Sequence, residues 1–532
     1  MVASSRRYST AMFAAALPRI LIALALAAIL GVPMLFRPAT ATAPAGAVRL
    51  NIITPHNEQI RYEFEHAFDR WHREHHGQPA AIEWVTTGGT TEIRRQLQSI
   101  YRSAILSGRF TAEGTLSDPA ITMPYDLLFG GGSYEHTEMK KGVTARPPGA
   151  DADMVLPISV PVPFDQARLD AWFGPNEIGP LRIYEPEGYW LGVAASGFGI
   201  VYNRDVLAML GVPEPTTWTD LTDPRLFGWV AMTDPNYSGS VATLYESIMN
   251  AYGWDDGWAL LRRMSAGAPY FSNNSKKVAL DVSRGEAAVG TSIDFFGRYE
   301  SQAMQTDPAD PLSSRVGYVD PPGVVLIDPD PITMLRGGPN PTTAARFIEF
   351  LLTDEGQAIW QFPARRSGAS EPEPGVPPGP ERFEIRRLPI QRGFIERWLD
   401  RCVDKVDPYA IVSKHPSLGF RGAIVPMFRA MVVDTHHDLR LAWRAILDAR
   451  ATPGFPPDVL AEMERLFDAM PEHTLADGTT LPFNGENCAA ITRDLKIPHQ
   501  ASAWRIHGAA FFRDTYRRIA DLAHPHLAGA VP

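Results

Sequence analysis

Residues 84–97, WVTTGGTTEIRRQL, set four threonines around two glycines and then turn charged and periodic. Glycines carry no Cβ, so the backbone N–H groups of Gly88 and Gly89 can approach another molecule closely. The hydroxyls of Thr87 and Thr90 add donors that rotate to suit a partner. Ile93, Leu97 and Ile100 recur at helical spacing, which puts the loop at a helix N-terminus, where unpaired N–H groups carry partial positive charge. Such a loop suits an anion or an oxygen-rich ligand, and it equally suits a plain N-cap turn. Ser238, Gly239 and Ser240 repeat the pattern inside AMTDPNYSGSVATLYESIM (231–249). Asp294 closes the apolar run of TSIDFF, where a carboxylate can meet a cationic group or a metal, or cap a helix.

Other chemistry-bearing residues carry less. His72 and His76 lie one helical turn apart, without a third metal ligand in view, so the metal-ligating set stays unknown. The neighbouring histidines of THHD (435–438) point apart on a helix. Arg94, Arg95 and Arg336 can neutralise an anion or simply face solvent. Tyr202 and Asn203 suit either a crossing between lobes or a satisfied core position. No G-x-S-x-G, H-E-x-x-H or P-loop G-K-[ST] occurs, and TTGGTT lacks dinucleotide-fingerprint spacing. No cofactor and no catalytic residue are assigned; a hydrolase with a non-contiguous triad and a ligand sensor stay open.

These residues need a scaffold large enough for more than one lobe, and 532 residues supply it. Hydrophobic content of 45% and charged content of 21% describe a globular chain. A net charge of −10 with no basic stripe argues against nucleic acid as a partner. Arg6, Arg7 and Arg19 precede an uncharged run at 20–36, ILIALALAAILGVPMLF, followed by Ala39-Thr40-Ala41. That pattern is an export signal or a borderline membrane anchor, which places the mature chain in the periplasm or at the cell surface. Cys402 and Cys488 are the only cysteines; they either pair or remain buried thiols.

From Val48 the chain alternates strand and helix. VRLNIIT, AAIEWVT and YDLLFGGG read as buried strands, and Ile60, Phe64, Phe68 and Trp71 share one face of an amphipathic helix. Alternation of this kind means an α/β fold with a mostly parallel sheet, whose ligands sit beyond the strand carboxyl ends. A second α/β unit follows, with the Ser238–Ser240 loop at its own strand end, so two lobes are expected to face each other across a cleft. From Pro341 the chain reads as helical, broken by SEPEPGVPPGP (370–380).

The ordered set ITPHNEQIRYEFEHAFDRWH, TTGGTT, YDLLFGGG, GIVYNRDVL, TDPNYSGS, GEAAVGTSID and DPDPITMLRGGPNPTTAARFIEFLLTDEGQAIW resembles the extracellular solute-binding proteins of ABC importers. The likeness is to the type II fold, in the ferric-iron, thiamine and polyamine cluster, over roughly residues 48–361. It implies two lobes closing on a small polar ligand, anionic or metal-chelating, with ferric ion, polyamine or thiamine as alternatives within the same fold. It also implies delivery to a membrane permease and its ATPase by a monomeric binding protein that is not an enzyme. Ferric-binding relatives use adjacent tyrosines, and no Tyr-Tyr pair occurs in this sequence. The expected organisation is 1–47 signal or anchor, 48–197 first part of lobe 1, 198–315 lobe 2, 316–369 return to lobe 1, and 370–532 a helical C-terminal extension packed on the first lobe.

Overall fold

The computed structural model describes Leu26 and residues 46–307, 310–365 and 373–527. The expected export segment at 20–36 lies, apart from Leu26, outside the described residues. Contacts divide the chain at Ala47, and everything below concerns the unit from Val48 onward.

Its strands are β1 (Val48–Ile53), β2 (Ala80–Val85), β3 (Leu127–Phe129), β4 (Val143–Ala145), β5 (Met154–Leu156), β6 (Ser159–Val160), β7 (Leu191–Ser196), β8 (Phe198–Asn203), β9 (Val230–Thr233), β10 (Phe271–Ser272), β11 (Val289–Ile293), β12 (Val316–Val319) and β13 (Asp328–Leu335). A first sheet runs β2-β1-β3-β13-β6, with β7 also paired to β13. A second runs β10-β9-β11-β8-β12. In the first, β1 is parallel to β2 and β3, whereas β13 returns antiparallel to β3, β6 and β7. In the second, β9 is parallel to β10 and β11, and β8 runs antiparallel to β11 and β12. The fold is thus α/β with two lobes, as the alternation of strand and helix implies. The chain leaves the first sheet at Ser196, passes Gly197, and enters the second at Phe198. It returns through residues 320–327, because Val316–Val319 still pairs with β8, a few residues beyond the expected boundary at 315.

Helix Glu58–His76 starts where the Asn57 side chain accepts the Ile60 N–H at 3.0 Å, and it ends at Gly77 with φ 69°. Its expected apolar face, Ile60, Phe64, Phe68 and Trp71, is buried. Trp360 closes over that face with its ring centroid 4.3 Å from that of Phe64. Helix Thr90–Leu106 buries Ile93, Leu97 and Tyr101 against β1 and β3 residues Ile53 and Leu128.

The extension departs from expectation. Residues 381–404 do lie on the first lobe, and also touch the second-lobe helix Asp294–Ala303, where Arg386 donates to the Arg298 carbonyl at 2.8 Å. The helices from Arg421 onward, however, pack on the second. Helix Arg421–Phe428 and helix His436–Ala451 cover helix Gly239–Ala266, with the Phe428 ring 5.0 Å from Tyr245 and 5.6 Å from Phe271. The apolar faces of Pro457–Phe467 and Pro498–Leu527 complete this layer. The physical reason is that segment Gly239–Ala266, two helical stretches broken at Gly253 (φ 79°), presents apolar residues on more than one side, such as Tyr245, Ile248, Trp258 and Leu261, and the second sheet covers only one of those sides. The extension also contains a hairpin, β14 (Glu472–Thr474) with β15 (Thr480–Pro482), absent from the all-helical expectation. Cys402 and Cys488 are free and buried. They sit in different apolar clusters, so they do not pair.

One side chain fastens the start of the extension. The buried Glu63 carboxylate accepts the backbone N–H groups of Glu381, Arg382 and Phe383 at 2.6, 2.8 and 2.7 Å. Hydrogen bonds to a charged group contribute about 1.5–3 kcal/mol each when a partner is removed. Glu63→Ala is therefore expected to destabilise the protein by roughly 3 kcal/mol or more, and Glu63→Gln by less, in urea titrations followed by tryptophan fluorescence. Equal stability of Glu63→Ala and the parent would contradict this anchoring.

Candidate functional site

The two small-residue loops face each other across a cleft of about 470 Å³. Thr86, Gly88, Gly89 and Thr90 form one wall; Tyr237, Ser238 and Ser240 form the other. A third wall, Asn273 to Lys276, is the start of helix Ser275–Arg284. His56 and Arg387 lie at the base, with Phe295 and Phe296 beside them. All three helices open toward the cleft, with Gly89, Ser238 and Asn274 as their N-caps. The Ser238 Oγ accepts the Val241 N–H at 3.3 Å and the Asn274 side chain accepts the Lys276 N–H at 3.0 Å. Each cap leaves further N–H groups of its helix without an intrahelical partner.

The loops require glycine where they meet. A Cβ on Gly89 would come 2.1 Å from the Tyr237 carbonyl oxygen, so no larger residue fits between the lobes there. Gly131, with φ 115°, lies against Thr90, 2.3 Å from where its Cβ would be.

The base of the cleft is a buried polar network. Asp330 Oδ2 lies 2.7 Å from Arg387 Nη1 and 3.0 Å from His56 Nε2, and its Oδ1 accepts the Gly131 N–H at 2.8 Å. Arg387 also donates through Nε and Nη2 to Ser196 Oγ at 2.9 and 2.7 Å, and stacks 4.5 Å over Phe295. Burial pushes the Asp330 carboxyl up, but Arg387 and His56 outweigh it and hold it below its ordinary value. Burial keeps His56 neutral by lowering its pKa, against the pull of Asp330. Beneath this, His136 spans Thr333 Oγ1 at 2.6 Å and the Gly130 carbonyl at 3.1 Å, its pKa lowered to about 4 by burial. Asp330 therefore carries the charge and the histidines supply neutral donors and acceptors.

Of the residues expected to form the site, Gly88, Gly89, Thr90, Ser238 and Ser240 come together on the cleft walls. Thr87 is exposed at the loop tip, and Gly239 is turned inward against Glu135, so neither lines the cleft. Asp294 is fully buried and lies off the cleft, although Ile293, Phe295 and Phe296 line it. It sits under the interlobe crossing: its N–H donates to the Gly197 carbonyl at 3.0 Å, and its Oδ2 has no hydrogen-bond partner. Arg94 pairs with Glu135, Arg95 donates to Asn236 at 3.1 Å, and Arg336 donates to the carbonyls of Pro157 and Gly114; none lines the cleft. His72 is held by the Gln78 carbonyl and Arg346, and no group of three or more His, Cys, Asp or Glu among the described residues is placed to hold a metal. Tyr202 donates to Glu214, and Asn203 caps helix Arg204–Leu210, which are structural roles.

His56, Lys276 and Arg387 were not legible as site residues. Asn274-Ser275 ahead of a helix is a weak signal for the third wall, since it repeats the small polar N-cap of the other two. Arg387 carries no local signal, because its position is set by Asp330 and Ser196 far away in the chain.

Residues 175–376 match the family model described as bacterial extracellular solute-binding protein. The two sheets and the two crossings between them divide residues 48–361 into two lobes, the arrangement expected from the type II solute-binding fold that the sequence resembles. The chain is 29% identical over 169 residues to the phosphoglycerate transport regulatory protein PgtC of Salmonella typhimurium, 32% of this chain and 40% of that protein. It is 28% identical over 164 residues to an uncharacterised protein of Haemophilus influenzae, 31% of this chain and 44% of that protein. The match thus spans less than half the length of these curated relatives. Among solved structures, the periplasmic binding protein AfuA of Actinobacillus pleuropneumoniae superposes with a TM-score of 0.44 at 15% identity, covering 66% of this chain and 98% of AfuA. The Trichodesmium protein IdiA (FutA), solved with iron and citrate, gives 0.45 at 13% identity over 72% and 98%.

Asp294 has a measurable consequence. Burial raises its carboxyl to about 7 against the opposing pull of Arg298. An acid whose folded pKa is raised contributes stability that is present below its unfolded pKa near 3.8 and lost as pH rises through about 7. Asp294→Asn does not titrate, so it should gain on the parent by up to about 1.4 kcal/mol per pH unit between pH ~4 and ~7. Urea titrations at pH 5 and pH 8 check this; a gap independent of pH would contradict it.

Proposed function

We propose that this chain is the extracytoplasmic solute-binding component of an ABC importer, and that it captures a small anionic ligand between its lobes. The observation that carries the reading is the convergence of three helix N-termini and two cations, Lys276 and Arg387, on one cleft. Dipole ends of this kind favour negative charge by about 0.3–1 kcal/mol each when exposed and up to ~2 when partly buried. Among the described residues that line the cleft, the one carboxylate is Glu92, and its Oε2 already accepts the Gly89 N–H at 3.0 Å. An organic cation would meet positive dipole ends with no free carboxylate to offset them, which disfavours polyamine and thiamine. The hydroxyls of Thr90, Ser238 and Ser240 add neutral donors suited to phosphate or carboxylate oxygens.

The ligand class favoured is a small phosphorylated organic acid, supported by the name of the relative PgtC, which concerns phosphoglycerate. Binding without turnover is the reading that the solute-binding family model matched at residues 175–376 supports. The partners are the membrane permease and ATPase of the importer, met by a monomer held or released outside the cytoplasmic membrane through residues 20–36. A ligand sensor is the second reading, favoured by the word regulatory in the relative's name. Capture by an isolated transporter in detergent separates the two.

The test is calorimetry and thermal shift with 3-phosphoglycerate, glycerol 3-phosphate, citrate, spermidine and thiamine. A phosphorylated acid at about a hundred times its Kd should add roughly 2.7 kcal/mol of stability. Lys276→Met, at an exposed position, should weaken that binding about tenfold, and added salt should weaken the parent more than the variant. Binding of spermidine or thiamine alone, or conversion of a bound compound, would overturn the reading.

A further inference from the structure

Among the described residues, the polypeptide crosses between the lobes three times. Beyond Gly197 and residues 320–327, a third crossing follows the first-lobe segment 381–404. Ser413 donates its N–H to the Val325 carbonyl at 2.7 Å, beside the second crossing. Leu418 then donates its N–H to the Asn250 side chain of the second-lobe helix Gly239–Ala266 at 3.0 Å. Everything from Arg421 onward is carried by the second lobe.

Arg421 reaches back across the seam. It is the first residue of helix Arg421–Phe428, and its side chain is 11% exposed. Its guanidinium lies 4.3 Å over the Tyr134 ring, and Nη2 is 3.7 Å from Glu135 Oε1; both partners are on the first lobe. The same guanidinium donates to the Gly239 carbonyl at 3.3 Å and lies 3.9 Å from Glu246 Oε2; both of these are on the second lobe. One side chain of the extension thus holds the two lobes at once, next to where Gly89 meets Tyr237.

The charges are arranged so that the contact can be broken reversibly. Separating the lobes takes Glu135 from Arg421, but Glu135 keeps Arg94 and the Thr91 hydroxyl, the latter at 3.2 Å, on its own lobe. Arg421 keeps Glu246 and the Gly239 carbonyl. Stranding a buried charge is the costly event in breaking an ion pair, and here neither charge is stranded. What is lost is the stacking on Tyr134 and the long-range attraction to Glu135, a contact of modest strength.

We propose that the C-terminal extension is a closing latch, in which Arg421 biases the ligand-free protein toward the lobe-closed form by bridging Tyr134 and Glu135 to the second lobe. A protein held partly closed binds with less loss from its unproductive open population, and it releases ligand more slowly. The latch needs no ligand to act, so it stands or falls independently of the anion reading.

The test is an interlobe distance in the full-length, ligand-free protein. Spin labels go on Arg102→Cys in the first lobe and Met209→Cys in the second, both exposed positions. Cys402 and Cys488 are buried, and burial raises their thiols to about 12 and about 11, so they do not compete for label. Arg421→Met should raise the open-to-closed ratio about tenfold and Glu135→Gln about threefold, with no further opening when Glu135→Gln is added to Arg421→Met. Glu246→Gln, whose partner lies on the same lobe and stays with Arg421 on opening, should not raise the ratio. If Arg421→Met disrupts the extension, seen as lost helical circular dichroism, Glu135→Gln still reads the latch from the other lobe. An unchanged ratio in Glu135→Gln, or equal opening by Glu246→Gln, overturns the proposal.

Discussion

The arrangement of the cleft depends on a single buried carboxylate. Asp330, on the antiparallel strand β13, satisfies Arg387, His56 and the Gly131 N–H at once. Without it, a guanidinium inside the protein would be left with Ser196, His56 and the Phe295 ring, none of which carries a negative charge. Removing one partner of a buried pair costs about 3–5 kcal/mol, because the other charge stays buried. The same carboxylate fixes the Gly130–Gly131 loop against Thr90 and so sets one wall of the cleft. The base and the wall are therefore one electrostatic unit, tied by a residue that does not itself line the cleft.

A second constraint is the space between the lobes. Gly89 and Tyr237 approach so closely that only a glycine fits, and the helix N-termini behind them are brought to face a common volume. Preorganised dipoles act strongly where water is excluded, since they need no reorganisation when a charge arrives. The extension contributes at both levels. Its first segment supplies Arg387 to the cleft, and its later helices ride on the second lobe, covering apolar faces of helix Gly239–Ala266. Both features lie beyond residue 376, where the family match ends.

Much of the fold was legible because its signals are local. Ile60, Phe64, Phe68 and Trp71 mark a helix face by spacing alone, and glycine-rich strand ends mark the loops. The two loops at the cleft were legible for the same reason, each having a strand before it and a periodic helix after it. Asp294 was read as a possible ligand because it ends a buried strand; its side chain instead lies under Gly197, a distinction set by packing that no spacing reports. Arg387 was invisible because its partner is Asp330, brought near by the sheet. The first segment of the extension lies on the expected lobe, and only its helices from Arg421 onward depart from it, for a similar reason. Its helices are amphipathic, but amphipathicity does not say which apolar surface they cover.

The central claim, that three helix N-termini act together on one anion, is tested most directly by hydrogen exchange with and without 3-phosphoglycerate. The account predicts slowed exchange at the amides of residues 88–92, 239–242 and 275–277 together, with little change in the helices of the extension after 436. Protection confined to one of the three segments, or none at saturating ligand, would contradict it.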